Sequence, residues 1–364
     1  MMTWGKAAAT LALGAAFCIA AWNRADAGRV SQSDYKVLAP ITQGNLTIYP
    51  VVATTTHDTS RFLTLDEGLR SGDVVVTEAG SVRGMIRRRP GRPEPVYQQR
   101  GAEVNRLVLV NNSTRPLLLL AGEIVTGGKQ DRVIGKDRIV PAESDPVDLS
   151  VFCVEPGRWV EKSANFGGLT GQMAQPAVRS KAMADKDQQK VWGEVRNSQR
   201  AMAAAVPAPA AEAVGGTTSY ATVMQNDEVR KQVDSVAAPV QRSYESVIRQ
   251  LRAQNAVGVV VAVNGEIIWA DLFASTSLLE KYWPKLVRSY AAEAVTGRRT
   301  RSRSASSTAA QAFLDDLDGT RETVETEPGV YRQTEISGSG FRVFELASLL
   351  PKTGYDVHLS KMAE

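Results

Sequence analysis

The residues best suited to chemistry lie in one stretch, LLLLAGEIVTGGKQDRVIGKDRIVPAESDPVDLSVFCVEPGRW, from Leu117 to Trp159. Four leucines lead into Ala121-Gly122-Glu123, and Gly127-Gly128 stands directly before Lys129, Gln130, Asp131 and Arg132. Glycines let a ligand approach the backbone closely, so their N–H groups with Lys129 and Arg132 have the parts of an anion cradle. The same residues support a second reading, in which the glycines make a bulge or hairpin turn and Glu123, Lys129, Asp131 and Arg132 pair with one another to brace it. Further on, Glu155-Pro156-Gly157-Arg158-Trp159 ends a strand, where Arg158 is placed either to clamp a carboxylate or to stack on Trp159. The residues expected to meet a ligand are therefore Glu123, Gly127, Gly128, Lys129, Gln130, Arg132, Glu155 and Arg158. Glu123, Asp131 and Glu155 are also the acids at hand for general acid–base work, which needs two carboxyls at a defined separation.

Other chemistry is narrowed by what the chain lacks. His57 and His358 are its only histidines, too few for most zinc sites or histidine-based triads, and no metal or cofactor is expected. Cys153 lies in the apolar run Val151-Phe152-Cys153-Val154, which makes it a small core filler rather than a nucleophile. A phosphate-binding P-loop fails at its end: Gly127 follows Gly122 at the right spacing, but Gly128 displaces the lysine and Gln130 replaces the magnesium-binding hydroxyl. Asp316-Leu317-Asp318-Gly319-Thr320 copies the D-x-D-G-T of haloacid-dehalogenase-type phosphatases. Helical sequence precedes it where a core strand is required, so a helix ending at a glycine cap is the expected explanation. Read as a calcium loop, the same acids would put Leu314 in the first ligand position.

The elements that must position these residues fall into two halves. From Tyr35 to Glu155 short branched runs alternate with Gly, Pro and Asn, and predict strands at Leu46 to Val52, Asp73 to Thr77, Arg83 to Arg87, Val104 to Val110, Pro116 to Ala121, Asp131 to Val140 and Pro146 to Val154. Asn111-Asn112-Ser113 reads as the turn of a hairpin between the runs ending at Val110 and Leu120. A short helix is expected at Leu65 to Arg70, with Asp66 and Glu67 in its first turn. After Trp159 helices are predicted at Asp185 to Met202, with Val191, Val195 and Met202 on one side, and at Val240 to Gln254. Val257 to Val263, Asn264-Gly265 and Glu266 to Phe273 form a tight hairpin, because Asn-Gly supplies its two positive φ angles. Ser277 opens a capping box for a helix reaching Ala294 with Pro284 inside it. A helix at Ala309 to Leu317 and strands at Gly329 to Glu335 and Phe341 to Leu346 complete the chain. Residues 163–182, 203–219 and 296–308 read as low-complexity loops, the last carrying Arg298, Arg299, Arg301 and Arg303 as a solvated linker. The order argues for an α+β fold, a largely antiparallel β core with C-terminal helices and a returning β-hairpin, in one mature domain.

Residues 1–27 read as a cleaved export signal, with Lys6, the apolar run Ala7 to Trp22 and the small-residue triplet Ala25-Asp26-Ala27. The mature domain, 28–364, is then expected in the periplasm or outside the cell, touching a membrane only through an uncleaved signal. Lys and Arg number 43 against 39 Asp and Glu, and an excess of +4 this evenly spread does not make a general nucleic-acid binder.

The strings AGEIVTGGKQDR, IVPAES and VFCVEPGRW resemble the prokaryotic domain named for its association with ARG and rhodanese-phosphatase-superfamily proteins. The resemblance covers most of the mature chain and is densest from Leu117 to Trp159. It implies no particular reaction, since the phosphatase in that name refers to associated proteins, and it does not support the D-x-D-G-T reading. The function expected from the sequence is a non-enzymatic binding domain for a small anionic ligand or a protein partner. The alternative is a metal-independent hydrolase or lyase using Glu123 and Glu155.

Overall fold

The computed structural model describes residues 34–78, 82, 85–86, 106–158, 162–163, 165–250, 254–297 and 305–364. The expected export signal, Trp159, most of the strand expected at Arg83 to Arg87 and the arginines of the 296–308 stretch lie outside the described residues.

The β-rich half runs through β1 (Tyr35–Val37), β2 (Ile41–Gln43), β3 (Leu46–Ala53), β4 (Leu63–Thr64), α1 (Leu65–Ser71), β5 (Val74–Glu78), β6 (Arg106–Asn111), β7 (Leu117–Leu119), β8 (Glu123–Thr126), β9 (Arg132–Ile134), β10 (Arg138–Val140), β11 (Val147–Cys153) and β12 (Asn165–Met173). Helices follow: α2 (Pro176–Ser180), a π-helical turn at Lys181–Asp185, α3 (Gln188–Ala205), α4 (Ala208–Gly216), α5 (Tyr220–Gln225) and α6 (Asp227–Gln250). The hairpin β13 (Ala256–Val263) and β14 (Glu266–Phe273), α7 (Thr276–Thr296), α8 (Ser307–Asp315), β15 (Gly319–Glu327), β16 (Tyr331–Gly338), β17 (Phe341–Ser348) and β18 (Asp356–Ala363) close the chain.

The strands form a large antiparallel sheet with β1-β3-β13-β14-β18-β17-β16-β15 in order and β2 beside β3, a closed barrel β11-β6-β5-β12-β8-β9, and a small sheet β10-β7-β4. The fold is thus α+β and largely antiparallel. The Asn264-Gly265 hairpin returns to the early sheet, since β13 pairs with β3 from Leu46↔Val263 to Val52↔Ala256. Every residue of β3 and β13 is buried, because α7 covers one face of this sheet while Ala310 and Leu314 of α8 pack on the other. The barrel fills itself with Val74, Val76, Leu107, Leu109, Val125, Ile134, Leu149, Val151 and Phe166. Helix α7 is buried over most of its surface, with Leu278, Tyr282, Leu286 and Tyr290 in the core, and packs against α3, α6, β12 and β13. Among the described residues no helix is long and apolar enough to cross a membrane.

Several expectations are corrected. The hairpin at Asn111-Asn112-Ser113 does not form: β6 pairs with β5 and β11 in the barrel, whereas β7 pairs with β4 and β10. Asn111 instead anchors the crossing, its Nδ2 donating to the carbonyls of Arg115 and Pro141. The single run Asp131 to Val140 splits into β9 and β10, which belong to different sheets. Residues 163–182 are not a loop, because Gly167 and Gly168 pair with Thr126 and Val125 to close the barrel. Residues 203–219 contain α4, where alanine's high helix propensity prevails over the low-complexity pattern. Helix α7 is capped by Ser275, which accepts from the Leu278 N–H, and not by Ser277; it runs through Pro284. Gly319 is the first residue of β15 rather than a helix cap, so D-x-D-G-T simply joins α8 to an edge strand. Helix α1 forms where expected, with a full capping box between Thr64 and Glu67.

Candidate functional site

The double-glycine bend sits at one end of the barrel. Gly127 and Gly128 adopt φ of 139° and 47°, and a Cβ on Gly128 would lie 2.3 Å from Phe166 and 2.6 Å from Glu78. Glycine is therefore required twice over, by conformation and by contact. The backbone donors of Gly127, Gly128 and Lys129 are all used within the protein. Gly127 N–H donates to Asp131 Oδ1 at 3.1 Å, Gly128 N–H to the Ser163 carbonyl at 3.1 Å, and Lys129 N–H to Glu78 Oε1 at 3.2 Å. Arg158 places Nε 2.7 Å from Glu155, donates through Nη1 to the Gly128 carbonyl at 2.8 Å, and lies 3.4 Å from Asp131. Glu155 accepts from the Asp131 N–H, and Asp131 accepts from Ser219 Oγ. The chain's own carboxylates, Asp131 and Glu78, thus accept from the Gly127 and Lys129 N–H groups that the expected anion cradle would use. The bracing is instead supplied by Asp131, Glu155, Arg158 and Glu78. Burial, reinforced by Glu155, pushes the Asp131 carboxyl up.

Arg132 is buried beside Glu78 and Cys153, where desolvation lowers its pKa and raises that of the Cys153 thiol, so neither offers itself to a ligand. Gln130 is 0% exposed, and neither atom of its side-chain amide finds a hydrogen-bond partner.

Ala121-Gly122-Glu123 proves to be a junction for three buried charge systems. Ala121 N–H donates to Asp137 Oδ1 at 2.7 Å, and Asp137 Oδ2 meets His358 Nδ1 at 2.5 Å. His358 Nε2 lies 3.3 Å from Asp271, which holds Arg179 through two bonds of 2.9 and 3.1 Å and accepts from Tyr290 and Ser360. Gly122, at φ 95°, lies under the Arg179 stem, and a Cβ there would come within 2.6 Å of it. Arg179 also stacks on Trp269 at 4.5 Å. Glu123 pairs with Lys285 at 2.5 Å and accepts from the Leu120 N–H, while Lys285 reaches Asp66 at 2.8 Å.

Charges this deeply buried persist only because they neutralise one another. Burial works against the His358 imidazolium, yet Asp137 and Asp271 outweigh it and push its pKa up to about 9. Burial likewise opposes the Asp271 carboxylate, and Arg179 holds it well below the usual carboxylate range. Desolvation raises Glu123, while Glu123 and Asp66 keep Lys285 protonated. His358 Nε2 faces a carboxylate where a triad would need a hydroxyl or thiol, so this network braces the core. Glu123 and Glu155 share no partner: one belongs to this junction, the other to the barrel-end bend.

A groove of about 720 Å³ opens between α3 and the C-terminal end of α7, a volume suited to a small ligand. Along α3 it is lined by Glu194, Asn197, Ser198, Ala201, Ala204 and Ala205, one face at three- and four-residue steps with small side chains at its far end. Opposite stand Gln175, Glu293, Val295, Thr296 and Gly297. Glu293 Oε2 accepts from Ala177 N–H at 2.9 Å and from Gln175 Nε2 at 3.2 Å. Burial, aided by Glu194, pushes the Glu293 carboxyl up to about 7. Ser198 is 2% exposed and its hydroxyl has no hydrogen-bond partner. Sequence reasoning missed this groove, although a signal was present: Ser198 is the one polar residue in the buried stripe Val191, Val195, Ser198 and Met202 of α3.

The model of the ARG and Rhodanese-Phosphatase-superfamily-associated Protein domain matches residues 34–362. No curated protein and no solved structure matches the chain.

Proposed function

The chain belongs to the family of ARG and rhodanese-phosphatase-superfamily-associated protein domains, and from that premise we propose that it is an exported, non-enzymatic binding domain whose ligand occupies the α3–α7 groove. The family name speaks of association with other proteins, which accords with binding rather than turnover. Export rests on the three-part pattern of residues 1–27.

The observation that carries the reading is the groove, a ligand-sized hollow with a partly buried carboxyl, Glu293, and an unpartnered buried hydroxyl, Ser198, in its walls. The barrel-end bend is the lesser candidate, since its backbone donors and Arg158 are engaged internally. A hydrolase or lyase working through Glu123 and Glu155 is disfavoured by their separate partners.

A thermal-shift screen of the mature protein against a metabolite library tests this, run on wild type, Ala201→Trp, which fills the groove, and Lys129→Ala at the bend. Stabilising hits should vanish in Ala201→Trp and persist in Lys129→Ala, and the reverse pattern would return the site to the bend. Turnover of an ester, phosphate or glycoside that disappears in Glu123→Gln would make the protein an enzyme.

A further inference from the structure

We infer that the α3–α7 groove takes a linear aliphatic amine or guanidine, with its cationic head between Glu194 and Glu293 and its methylene chain along Ala201 and Ala204. This rests on the groove being the binding site.

The two carboxylates come from facing walls, and among the described residues neither forms an ion pair with a Lys or Arg. Both donors to Glu293 go to Oε2, which leaves Oε1 without a donor among the described residues and placed to accept from a ligand. Glu194 is held at 3.3 Å by Asn197 Nδ2, whose Oδ1 in turn receives Arg200 Nη2 at 2.6 Å, so the one arginine lining the groove is turned to its own helix. Ser198 supplies an independent pointer. Its hydroxyl, which can accept as well as donate, has no partner among the described residues, and an unsatisfied buried polar atom costs free energy until something bonds it. A cation with several N–H donors satisfies all three groups at once. The alanine face beyond them matches an uncharged alkyl chain and offers no partner to a second anionic or polar end.

The groups that face Glu293 are Glu194 and Arg200 from α3, Gln175 and the Ala177 N–H from the start of α2, and Thr296 from its own helix. Since Glu293 ionises near neutrality, a cation must displace its proton. With a pKa of about 7 the ionised fraction rises from roughly a tenth at pH 6 to nine tenths at pH 8, so affinity should rise about tenfold over that range with release of a proton.

The test is isothermal titration of the full mature protein with pentylamine and pentylguanidine, against neutral 1-pentanol and anionic pentanoate, at pH 6 and 8 and in two buffers of different ionisation heat. The expected result is binding of the two cations alone, tighter at the higher pH, weakened at least tenfold in both Glu293→Gln and Glu194→Gln and abolished in Ala201→Trp. Glu194 is only partly buried, so its variant keeps the test open if Glu293→Gln folds poorly. Binding of the alcohol or of pentanoate that Ala201→Trp abolishes would leave the groove as the binding site and overturn the cationic assignment. Cation binding unchanged in all three variants, or no binding of any probe below about 1 mM, would overturn both.

Discussion

Arg179→Met is the most informative disturbance of the buried charge junction. The guanidinium is 0% exposed and holds Asp271 by two bonds, while its stem packs against Gly122 and its plane against Trp269. Methionine keeps most of the stem's volume, so the loss isolates the charge rather than opening a cavity. Asp271 then retains Tyr290, Ser360 and His358 as partners but loses its permanent cation. Breaking a buried pair on one side costs about 3–5 kcal/mol, against a total stability on the order of 5–15 kcal/mol for a domain. Urea unfolding at neutral pH should show the free energy of unfolding falling by that amount, read as a lower midpoint at unchanged slope. Arg179→Lys keeps the charge but not the paired bonds and should fall between the two. A loss below about 1 kcal/mol, the level of a solvent-exposed pair, would refute the claim that this network is desolvated and structural.

The remaining predictions concern titration and packing. His358 is raised from 6.5 to about 9, so its stabilisation is complete below pH 6.5 and is lost as pH rises through 9, a loss of about 3 kcal/mol that His358→Gln should remove from the pH profile of unfolding. Glu293 is raised from 4.5 to about 7, so folding favours its neutral form and stability declines as pH rises through 7; Glu293→Gln should raise the melting temperature at pH 8 relative to wild type and not at pH 4. Gly122→Ala forces a left-handed φ on alanine and drives its Cβ into Arg179, and calorimetry should show a destabilisation of about 2 kcal/mol or more. Gln130→Met replaces an unbonded buried amide with an isosteric apolar chain, so stability should hold or rise by about 1 kcal/mol; a marked loss would mean that the amide has a partner in solution.

What the sequence made legible was local. The Asn264-Gly265 hairpin and the short helix at Leu65 to Arg70 are specified by neighbours within a few residues, and both form as the residues imply. The α+β character followed from the order of strand and helix patterns. The barrel was not legible, because its closure depends on Gly167 and Gly168 pairing with β8, and glycines in a strand look like glycines in a loop. The stretch around Ala121-Gly122-Glu123 stood out, but its role could not be read, since the partners that explain it are Asp137, Arg179, Asp271, Lys285 and His358, most of them far along the chain. The bend at Gly127-Gly128 stands out in the sequence as a cradle for an anion, and the N–H groups of Gly127 and Lys129 in it are taken by Asp131 and Glu78, the latter brought in from β5. The groove went unnoticed because its walls come from helices about a hundred residues apart by roughly the same non-local logic, and only Ser198, misplaced in an apolar stripe, betrayed it.

The most direct test of where this protein meets its ligand is a map of backbone amide shifts in ¹⁵N-labelled protein on addition of pentylamine. The account predicts that the perturbed amides cluster at Ala177, Asn197, Ser198 and Glu293, with Gly127 to Arg132 unmoved. Shifts concentrated at Gly127 to Arg132, with the α3 and α7 amides silent, would contradict it.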